Sequence, residues 1–281
     1  MKVRVAAEEW TCELRGSFRR RRETVVVGDR VRVAQRSELA GVIEEILPRR
    51  NYLSRRREVG GGRELLVASN LDQVVAVFAA RRPRPKLGAL DRLLVAAEHR
   101  RLPARIVLNK IDLGVDSALD QELRDYESIG YAVSRVSAAT GEGLTALESA
   151  LAGRVSVVSG PSGAGKSSLL SRILGIEIRV GEVSEHNEKG RHTTTAATGY
   201  AEPGGGALID TPGFRDYGLW DLEPADLAGC MPDIFRFAGD CRFANCRHRE
   251  EPDCAVVAAV DAGDVSARRL RSYRGILDSL G

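Results

Sequence analysis

The chain has 281 residues and a formal net charge of +3, a length at which two or three domains are expected. Its apolar runs, such as residues 74–80 and 255–260, are far shorter than the ~20 residues of a membrane-spanning helix. No signal-like apolar stretch follows Met1. These features argue against fibrous, disordered and membrane-spanning classes, and they predict a cytoplasmic protein with no membrane partner.

The first 68 residues are basic and contain short strand patterns. They hold sixteen Lys and Arg against ten Asp and Glu, with basic runs at residues 19–22 and 55–57. Five short strands with tight turns indicate a small β-barrel, either of the oligonucleotide-binding (OB) type or of another kind. Nucleic-acid binding explains the basic runs better than solvated loop charge does. The predicted strands are at residues 10–14, 24–27, 29–33, 41–46 and 64–68.

Beyond residue 68 the pattern changes to strands that alternate with helices. We predict strands at residues 73–78 and 104–108, with a helix at residues 87–100 between them. A carboxylate in an N-K-x-D pattern accepts from guanine's ring N–H and exocyclic amine, a pair of donors that adenine does not offer. This pattern follows the second strand directly, at Asn109, Lys110, Ile111 and Asp112.

A further predicted strand, at residues 131–136, ends in Ser137 and Ala138. A backbone N–H at this point can meet guanine's carbonyl oxygen. Both this pair and the N-K-x-D motif are short matches when taken alone. They gain weight because each stands at the carboxyl end of a predicted strand, where open α/β sheets bind their ligands.

The phosphate-loop pattern G-x-x-x-x-G-K-[ST] lies between a predicted strand at residues 154–159 and a predicted helix at residues 168–174. Glycines let backbone N–H groups turn towards phosphates at a helix N-terminus, the lysine reaches the β- and γ-phosphates, and the Ser167 hydroxyl coordinates Mg²⁺. The strand-loop-helix context favours this interpretation over an ordinary Gly/Ser-rich turn. The motif and the serine after it are Gly160, Pro161, Ser162, Gly163, Ala164, Gly165, Lys166, Ser167 and Ser168.

Two later segments complete a pattern for nucleotide hydrolysis. The polar stretch 182–195 is either an ordinary surface loop or a loop ordered by γ-phosphate and Mg²⁺, with Thr194 as the second hydroxyl ligand. A predicted strand at residues 207–209 then leads into the sequence D-T-P-G. Within it, Asp210 is expected to hold Mg²⁺ through water, and the Gly213 N–H to contact the γ-phosphate.

The attacking water needs a polar partner that the D-T-P-G segment does not supply. A glutamine orients it in Ras-type GTPases, but Phe214 stands at that position here, and its ring neither donates nor accepts a hydrogen bond. His192 can orient or deprotonate water when its loop closes, unless it is only a surface histidine. We therefore predict catalytic roles for His192 and Lys166.

The order of the motifs is itself informative. In ordinary small GTPases the phosphate loop comes first and the guanine motif follows D-x-x-G, whereas here residues 109–112 precede residues 160–167. The sequence therefore predicts a circularly permuted GTPase domain. Permutation is tolerated when the original termini lie close together on the surface. It makes the segment after Gly213 lead directly into the next domain.

Over nearly its whole length, the chain resembles the ribosome small-subunit-dependent GTPases called RsgA or YjeQ. The resemblance implies an OB barrel, a permuted GTPase domain and a zinc domain, which act with the small ribosomal subunit and its rRNA in late maturation. It also implies GTP hydrolysis that the subunit stimulates. The residues that carry the resemblance are 28–31, 48–51, 109–112, 160–168, 190–195, 210–214 and a cysteine cluster.

That cluster comprises Cys241, Cys246, His248 and Cys254. Three thiols and an imidazole suit tetrahedral Zn²⁺ in a closed structural site, and the spacing matches the family pattern rather than paired C-x-x-C fingers. A reduced knuckle without metal is the alternative. One structural zinc, together with Mg²⁺ bound with GTP, are the predicted cofactors.

The prediction for the whole chain is a multidomain α/β protein. Residues 1–68 form an OB-type RNA-binding barrel, residues 69–218 the permuted GTPase domain, and residues 219–281 a mainly helical zinc-binding domain. Its terminal helix, at residues 265–280, has an apolar stripe for the core and arginines that can extend an RNA-binding face.

We expect a monomer that binds GTP and GDP. Two other functions stay open. One is a GTP-dependent RNA-binding module in which hydrolysis is incidental, and the other is a nucleic-acid-binding regulator whose target is unrelated to ribosomes.

Overall fold

The computed structural model describes residues 1–6, 8–16, 18, 23–56, 64–178, 197–211, 219 and 221–280. Several predictions fall outside these residues. They concern the candidate base His192, the magnesium ligand Thr194, the γ-phosphate contact Gly213, the ring of Phe214 and the basic run 19–22.

The described strands lie in the first three quarters of the chain. They are β1 (Lys2–Val5), β2 (Glu8–Leu14), β3 (Val31–Ser37), β4 (Ala40–Ile46), β5 (Tyr52–Arg56), β6 (Glu64–Ser69), β7 (Gln73–Ala79), β8 (Ala104–Asn109), β9 (Ala132–Arg135), β10 (Val155–Ser159), β11 (Thr198–Ala201) and β12 (Ala207–Asp210).

The described helices alternate with strands in the middle of the chain and stand alone after residue 221. The α-helices are α1 (Leu87–His99), α2 (Ser117–Ser128), α3 (Leu144–Leu151), α4 (Lys166–Leu174), α5 (Pro232–Ala238), α6 (Ala255–Ala262) and α7 (Ala267–Asp278), and two 3₁₀ turns cover Ile111–Leu113 and Ala228–Cys230. None of the described helices is long and apolar enough to cross a membrane.

The N-terminal strands form two hydrogen-bonded groups among the described residues. One is a four-stranded sheet in the order β1-β2-β4-β3, and the other is the antiparallel pair β5-β6. An isolated bridge from Val27 to Ala68 is recorded between β6 and the segment before β3. Cys12, Phe18 and Ile43 form a small buried core under the first sheet. The N-terminal region is therefore rich in strands, as predicted, but a closed OB barrel is not confirmed.

The prediction of a strand at residues 24–27 was wrong, since only Val27 forms a β-bridge there. The Val26 N–H donates to Asp29 Oδ2 at 2.8 Å, and the Thr24 carbonyl accepts from Arg49 Nη2 at 2.8 Å. Because side chains form hydrogen bonds with these backbone groups, the segment cannot use the same groups to pair with a neighbouring strand. The next predicted strand begins later, at Val31, and β1 and β5 were not predicted.

The central sheet has the strand order β11-β12-β10-β7-β8-β9. All neighbouring pairs in it are parallel except β11 with β12. Every residue of β7 is buried, as expected for a strand covered on both faces. The predicted strands of this region are all present, with ends shifted by one or two residues. Because the five strands from β12 to β9 run in one direction, their carboxyl ends share one edge of the sheet.

Helix α1 and the terminal helix α7 meet at a buried ionic cluster, which we call the junction. Asp91 of α1 accepts from Arg269 Nη1 at 2.5 Å and from Arg268 Nη1 at 2.6 Å. Arg269 also forms a two-bonded pair with Asp233 of α5, at 2.7 and 2.6 Å. Tyr126 of α2 donates its hydroxyl to Asp91. The junction thus joins the helices of the central sheet to the C-terminal helices.

The terminal helix confirms the predicted apolar stripe, since Leu270, Tyr273 and Leu277 are buried. The expectation that its arginines extend an RNA face was wrong for Arg268 and Arg269, which belong to the junction. Arginine stems and forked N–H groups suit such buried pairs.

Candidate functional site

The phosphate loop connects β10 to α4 through three glycines with positive φ angles. A Cβ atom at Gly160 would lie 1.9 Å from the Val77 carbonyl oxygen, and one at Gly165 would lie 2.4 Å from Asn109 Nδ2. Gly165 has φ +88° and immediately precedes α4. The neighbouring strands leave no room for a side chain at these two positions. The loop therefore brings backbone, and with it N–H groups, close to the sheet edge.

Lys166, the first residue of α4, folds back over its own loop. Its Nζ donates to the carbonyl oxygens of Gly160 at 2.8 Å and Pro161 at 3.2 Å. Burial lowers the pKa of Lys166, and the negative charge of Asp210 opposes that shift. A phosphate would give this ammonium group a stronger partner than neutral carbonyls. Ser167 follows in the first turn of α4 and is half-buried, whereas Ser162 and Ser168 are exposed.

Asp210 ends β12 beside the phosphate loop, because its backbone pairs in register with Val158 of β10. Burial raises the pKa of Asp210, while Lys166 and the Thr211 N–H partly offset this. Its Oδ1 is buried and has no hydrogen-bond partner within the described residues. A buried carboxylate oxygen without a donor suits a hydrated cation such as Mg²⁺, which takes oxygen ligands and keeps several waters. Ser167 and Asp210 are the described residues suited to that ion.

Asn109 links the guanine motif to the phosphate loop. Its Nδ2 donates to the Ala164 carbonyl oxygen at 3.0 Å, and its Oδ1 accepts from the Ala138 N–H at 3.0 Å. One buried amide therefore connects the loops after β8, β9 and β10. A backbone N–H at Ser137 and Ala138 was predicted to meet guanine's carbonyl oxygen, and the N–H of Ala138 donates to Asn109. The structure thus brings the two predicted motifs and their partner loop together.

Lys110 and Asp112 are held in the same region. Lys110 Nζ donates to the carbonyl oxygens of Arg82 and Gly163, both at 2.7 Å. Ser137 Oγ donates to Asp112 Oδ1 at 2.5 Å, and Asp112 is otherwise exposed. The Ile111 N–H donates to the Val136 carbonyl oxygen at 3.3 Å, which fixes the turn between them. Asp112 is therefore an oriented, solvent-accessible carboxylate, as recognition of two base donors requires.

Arg172 contacts this region but was missed from the sequence. It lies near the end of α4 and donates from Nε to the Ala138 carbonyl oxygen at 3.0 Å and from Nη2 to that of Ala139 at 3.2 Å. No motif contains it, and the sequence gives no indication that it contacts a loop before the phosphate loop.

The four residues of the cysteine cluster come together in the C-terminal region. Their candidate ligand atoms all lie within 4.8 Å of one another. His248 Nδ1 is 3.5 Å from Cys241 Sγ and 3.4 Å from Cys254 Sγ, and the two sulfur atoms are 3.9 Å apart. Tetrahedral Zn²⁺ with ordinary bond lengths needs about 3.6 Å between sulfur and nitrogen and about 3.8 Å between sulfurs. The spacing therefore fits zinc.

The cluster is joined to α7 by a hydrogen bond. His248 is buried, and its carbonyl oxygen accepts from Arg274 Nε of α7 at 2.8 Å. Burial and the neighbouring thiols raise the pKa of Cys246 to about 12. At neutral pH this cysteine is a thiol unless a cation holds it as a thiolate.

Comparison with known proteins agrees with this geometry. A family model described as RsgA GTPase matches residues 46–220, and one described as RsgA N-terminal domain matches residues 1–43. The chain belongs to the RsgA GTPase family. Relatives named small ribosomal subunit biogenesis GTPase RsgA include one from Gemmatimonas aurantiaca, 43% identical over 97% of this chain and 91% of the relative. Another, from Azotobacter vinelandii, is 42% identical over 98% of this chain and 80% of the relative.

Solved structures share the fold. YjeQ from Thermotoga maritima has a TM-score of 0.73 and 33% identity, and the match covers 97% of this chain and 90% of that one. YloQ, described as a circularly permuted GTPase, has a TM-score of 0.72 and 28% identity over 97% of this chain and 86% of that one. These matches agree with the permuted order predicted from the motifs.

Proposed function

We propose that this chain is a GTPase that assists the biogenesis of the small ribosomal subunit. The observation that carries the proposal is the contact of Asn109 with the phosphate loop, which joins a guanine motif and a phosphate site in permuted order. It stands in a chain that matches small-subunit biogenesis GTPases over nearly its whole length. Association with the subunit late in its maturation, and stimulation of hydrolysis by it, are part of the proposal.

The test is GTP turnover by the full chain, alone and with purified small or large ribosomal subunits. We expect small subunits to accelerate turnover and large subunits to leave it at the basal rate. Negligible turnover with small subunits would favour the alternative, a GTP-dependent RNA-binding module or regulator in which hydrolysis is incidental. The family membership does not favour that alternative.

Base selection rests on the N-K-x-D motif and its partner loop. Asp112 accepts from guanine's two donors, with Asn109, Lys110, Ile111, Ser137 and Ala138 forming its surroundings. Asp112→Asn should weaken GTP binding and favour xanthosine triphosphate, because an amide can donate to the extra carbonyl of xanthine. Unchanged affinity for GTP would contradict this role.

Phosphates and Mg²⁺ are assigned to the loop after β10 and to the end of β12. Residues 160–168 supply N–H groups and Lys166, and the ligands of Mg²⁺ are Ser167, Thr194 and, through water, Asp210. The Gly213 N–H contacts the γ-phosphate. When bound, Mg²⁺ neutralises charge that develops on the phosphates.

His192 is our candidate for positioning the attacking water. Phe214 offers no hydrogen bond in the glutamine's place, and His192 belongs to the segment expected to cover the γ-phosphate. His192→Ala should leave GTP affinity nearly unchanged and lower subunit-stimulated turnover by roughly 10²–10⁴-fold, as for general acid–base groups. Full stimulated turnover would show that another group, such as rRNA, positions the water.

One structural Zn²⁺ at Cys241, Cys246, His248 and Cys254 is supported by the distances between their ligand atoms. Metal analysis of freshly purified protein should find one zinc per chain. Removing zinc by a chelator should increase hydrogen exchange near residues 241–254 and spare the central sheet. A zinc-free protein with reduced cysteines and a protected cluster would refute this assignment.

Contact with rRNA is proposed for residues 1–68, as an OB-type RNA-binding barrel, on the strength of their charge. Subunit binding should weaken steeply with salt, and charge reversal at Arg55, Arg56 and Arg57 should weaken it further. Salt-independent association would argue against this face. We propose that residues 69–218 are the GTPase domain, that residues 219–281 are the zinc domain, and that the protein acts as a monomer in the cytoplasm.

A further inference from the structure

Arg172 lies on α4, the helix that begins with Lys166, and its side chain contacts the loop that follows β9. Its guanidinium group reaches two successive carbonyl oxygens of that loop, those of Ala138 and Ala139, at 3.0 and 3.2 Å. The two residues precede Arg172 by 34 and 33 positions, so this contact is tertiary and not a helix cap. Two N–H groups of one planar fork, bonded to adjacent peptides, restrict the orientation of both peptide planes.

The second of these peptides continues to the base-reading carboxylate. In a trans peptide the carbonyl oxygen and the N–H of the next residue point in opposite directions. Fixing the Ala139 oxygen on Arg172 therefore fixes the direction of the Thr140 N–H. That N–H donates to Ser137 Oγ at 3.1 Å, and Ser137 Oγ donates to Asp112 Oδ1 at 2.5 Å.

These contacts form one continuous series of hydrogen bonds. It runs from the Arg172 guanidinium through the Ala139–Thr140 peptide and the Ser137 hydroxyl to the Asp112 carboxylate. Hydrogen bonds in such a series polarise one another, so a charged donor at one end strengthens the bonds that follow. The first peptide acts similarly, since fixing the Ala138 oxygen directs the Ala139 N–H away from the guanidinium. That N–H has no hydrogen-bond partner within the described residues, which leaves it available to guanine's carbonyl oxygen.

We propose that Arg172 is a positioning residue for guanine selection: it orients Asp112 through Ser137, and the N–H of Ala139 through the Ala138 carbonyl. The proposal rests on the proposed function, because it concerns how the same site chooses GTP. It also connects base and phosphate recognition, since Arg172 and Lys166 stand on the same helix. The loop after β9, which we expect to contact the base, is therefore held in place by α4, whose first residue is the phosphate-loop lysine.

The experiment measures equilibrium binding of GTP, inosine triphosphate (ITP) and ATP to the full chain and to Arg172→Ala. ITP keeps guanine's ring N–H and carbonyl but lacks the exocyclic amine, so the ratio of GTP to ITP affinity reports how well Asp112 is oriented. We expect Arg172→Ala to weaken GTP binding by about tenfold to a hundredfold, the range for one hydrogen bond to a charged group. The GTP-to-ITP ratio should fall by about threefold or more, while turnover at saturating GTP stays the same.

Three variants make the result specific. Arg172→Lys keeps a cationic donor and should recover part of the ratio. Arg101→Ala removes one exposed positive charge whose side chain bonds to nothing in the described part of the chain, and it should match the unsubstituted protein. Ser137→Ala should lower the GTP-to-ITP ratio by itself. Adding Arg172→Ala to it should lower the ratio no further, because loss of the Ser137 hydroxyl already interrupts the series between Arg172 and Asp112.

The outcomes separate this inference from the function on which it rests. If the unsubstituted chain does not prefer GTP to ATP, the proposed function fails. If it prefers GTP but Arg172→Ala weakens GTP and ITP equally, Arg172 only stabilises the loop and the inference is overturned. Additive effects of Ser137→Ala and Arg172→Ala on the ratio would also overturn it.

Discussion

The carboxyl edge of the central sheet and the junction of α1, α2, α5 and α7 both bury charged groups. The buried carboxylate at the edge lacks a hydrogen-bond partner for one oxygen within the described residues, whereas both oxygens of the one at the junction have partners. At the edge, Asp210 Oδ1 has no partner within the described residues, and Lys166 donates to carbonyl oxygens of its own loop. At the junction, both oxygens of Asp91 accept from arginines, and Arg269 also pairs with Asp233 through two bonds.

The pKa shifts of the two carboxylates reflect this difference. Burial raises the pKa of Asp210, and the single ammonium of Lys166 does not cancel the effect. Burial also acts to raise the pKa of Asp91, but the charges of Arg269 and Arg268 outweigh it and hold the pKa below its ordinary value. Incomplete satisfaction of the charged groups therefore occurs where we propose the phosphate and Mg²⁺ site, and complete satisfaction occurs where two parts of the fold are joined.

The largest effect should follow from removing a charge at the junction. Arg269→Met leaves Asp91 and Asp233 buried beside too few positive charges, and we expect it to lower the free energy of unfolding by about 3–5 kcal/mol in urea titrations. Arg271→Met, on an exposed residue of the same helix, is the matched control and should stay within about 0.5 kcal/mol. Equal stability of the two variants would show that the junction contributes little.

The corresponding substitution at the edge should affect the ligand and spare the fold. Lys166→Met removes the cation that we propose to bind the phosphates, so GTP binding measured by fluorescence titration should weaken about 100-fold. The pKa of Lys166 is lowered by burial, which means that its charge costs stability in the nucleotide-free protein. The free energy of unfolding should therefore stay the same or rise. A fall comparable to that of Arg269→Met would remove the distinction between the two regions.

Acid should weaken the junction in particular. Because the folded pKa of Asp91 lies below its ordinary value of 3.8, its contribution is present above that pH and is lost as the pH falls through the folded pKa. We expect the unsubstituted protein to lose about 1–3 kcal/mol more than Arg269→Met between pH 6 and pH 3. Urea unfolding at each pH measures the difference, and parallel losses would contradict the assignment. Other carboxylates with a lowered pKa, such as Asp29, are present in both proteins, so their effect cancels in this comparison.

The smallest effect is a gain at the edge. The pKa of Asp210 is raised, so its ionised form costs stability at neutral pH, and Asp210→Asn removes the charge at similar volume. We expect the nucleotide-free protein to gain about 0.5–1 kcal/mol while Mg²⁺-dependent turnover falls, as in other trade-offs between stability and activity. Loss of stability in Asp210→Asn would show that the electrostatic attraction of Asp210 to Lys166 outweighs the cost of burial.

Local patterns were sufficient for most of the central region. Short, continuous apolar runs located β7, β8, β10 and β12, and the glycines of the phosphate loop located the start of α4 to within two residues. The N-terminal region was harder, because its strands are short and their pairing is not local. The Thr24–Val27 segment has strand-forming residues, yet Asp29 and Arg49 occupy its backbone groups. Arg49 lies 25 residues from Thr24, and competition from a side chain at that distance has no sequence pattern.

The residues proposed for the site could be predicted from the sequence: the guanine motif, the phosphate loop, the order in which they occur and the four cluster residues. Each is a short run whose residue types are set by the ligand or by backbone conformation. The way in which these runs are held could not be predicted, because it depends on contacts between residues far apart in the chain. Asn109 reaches Ala164 across 55 positions, Arg172 reaches Ala138 across 34, and Arg269 reaches Asp91 across 178. Contacts over such separations depend on how helices and strands pack, and packing leaves no periodic trace at either residue.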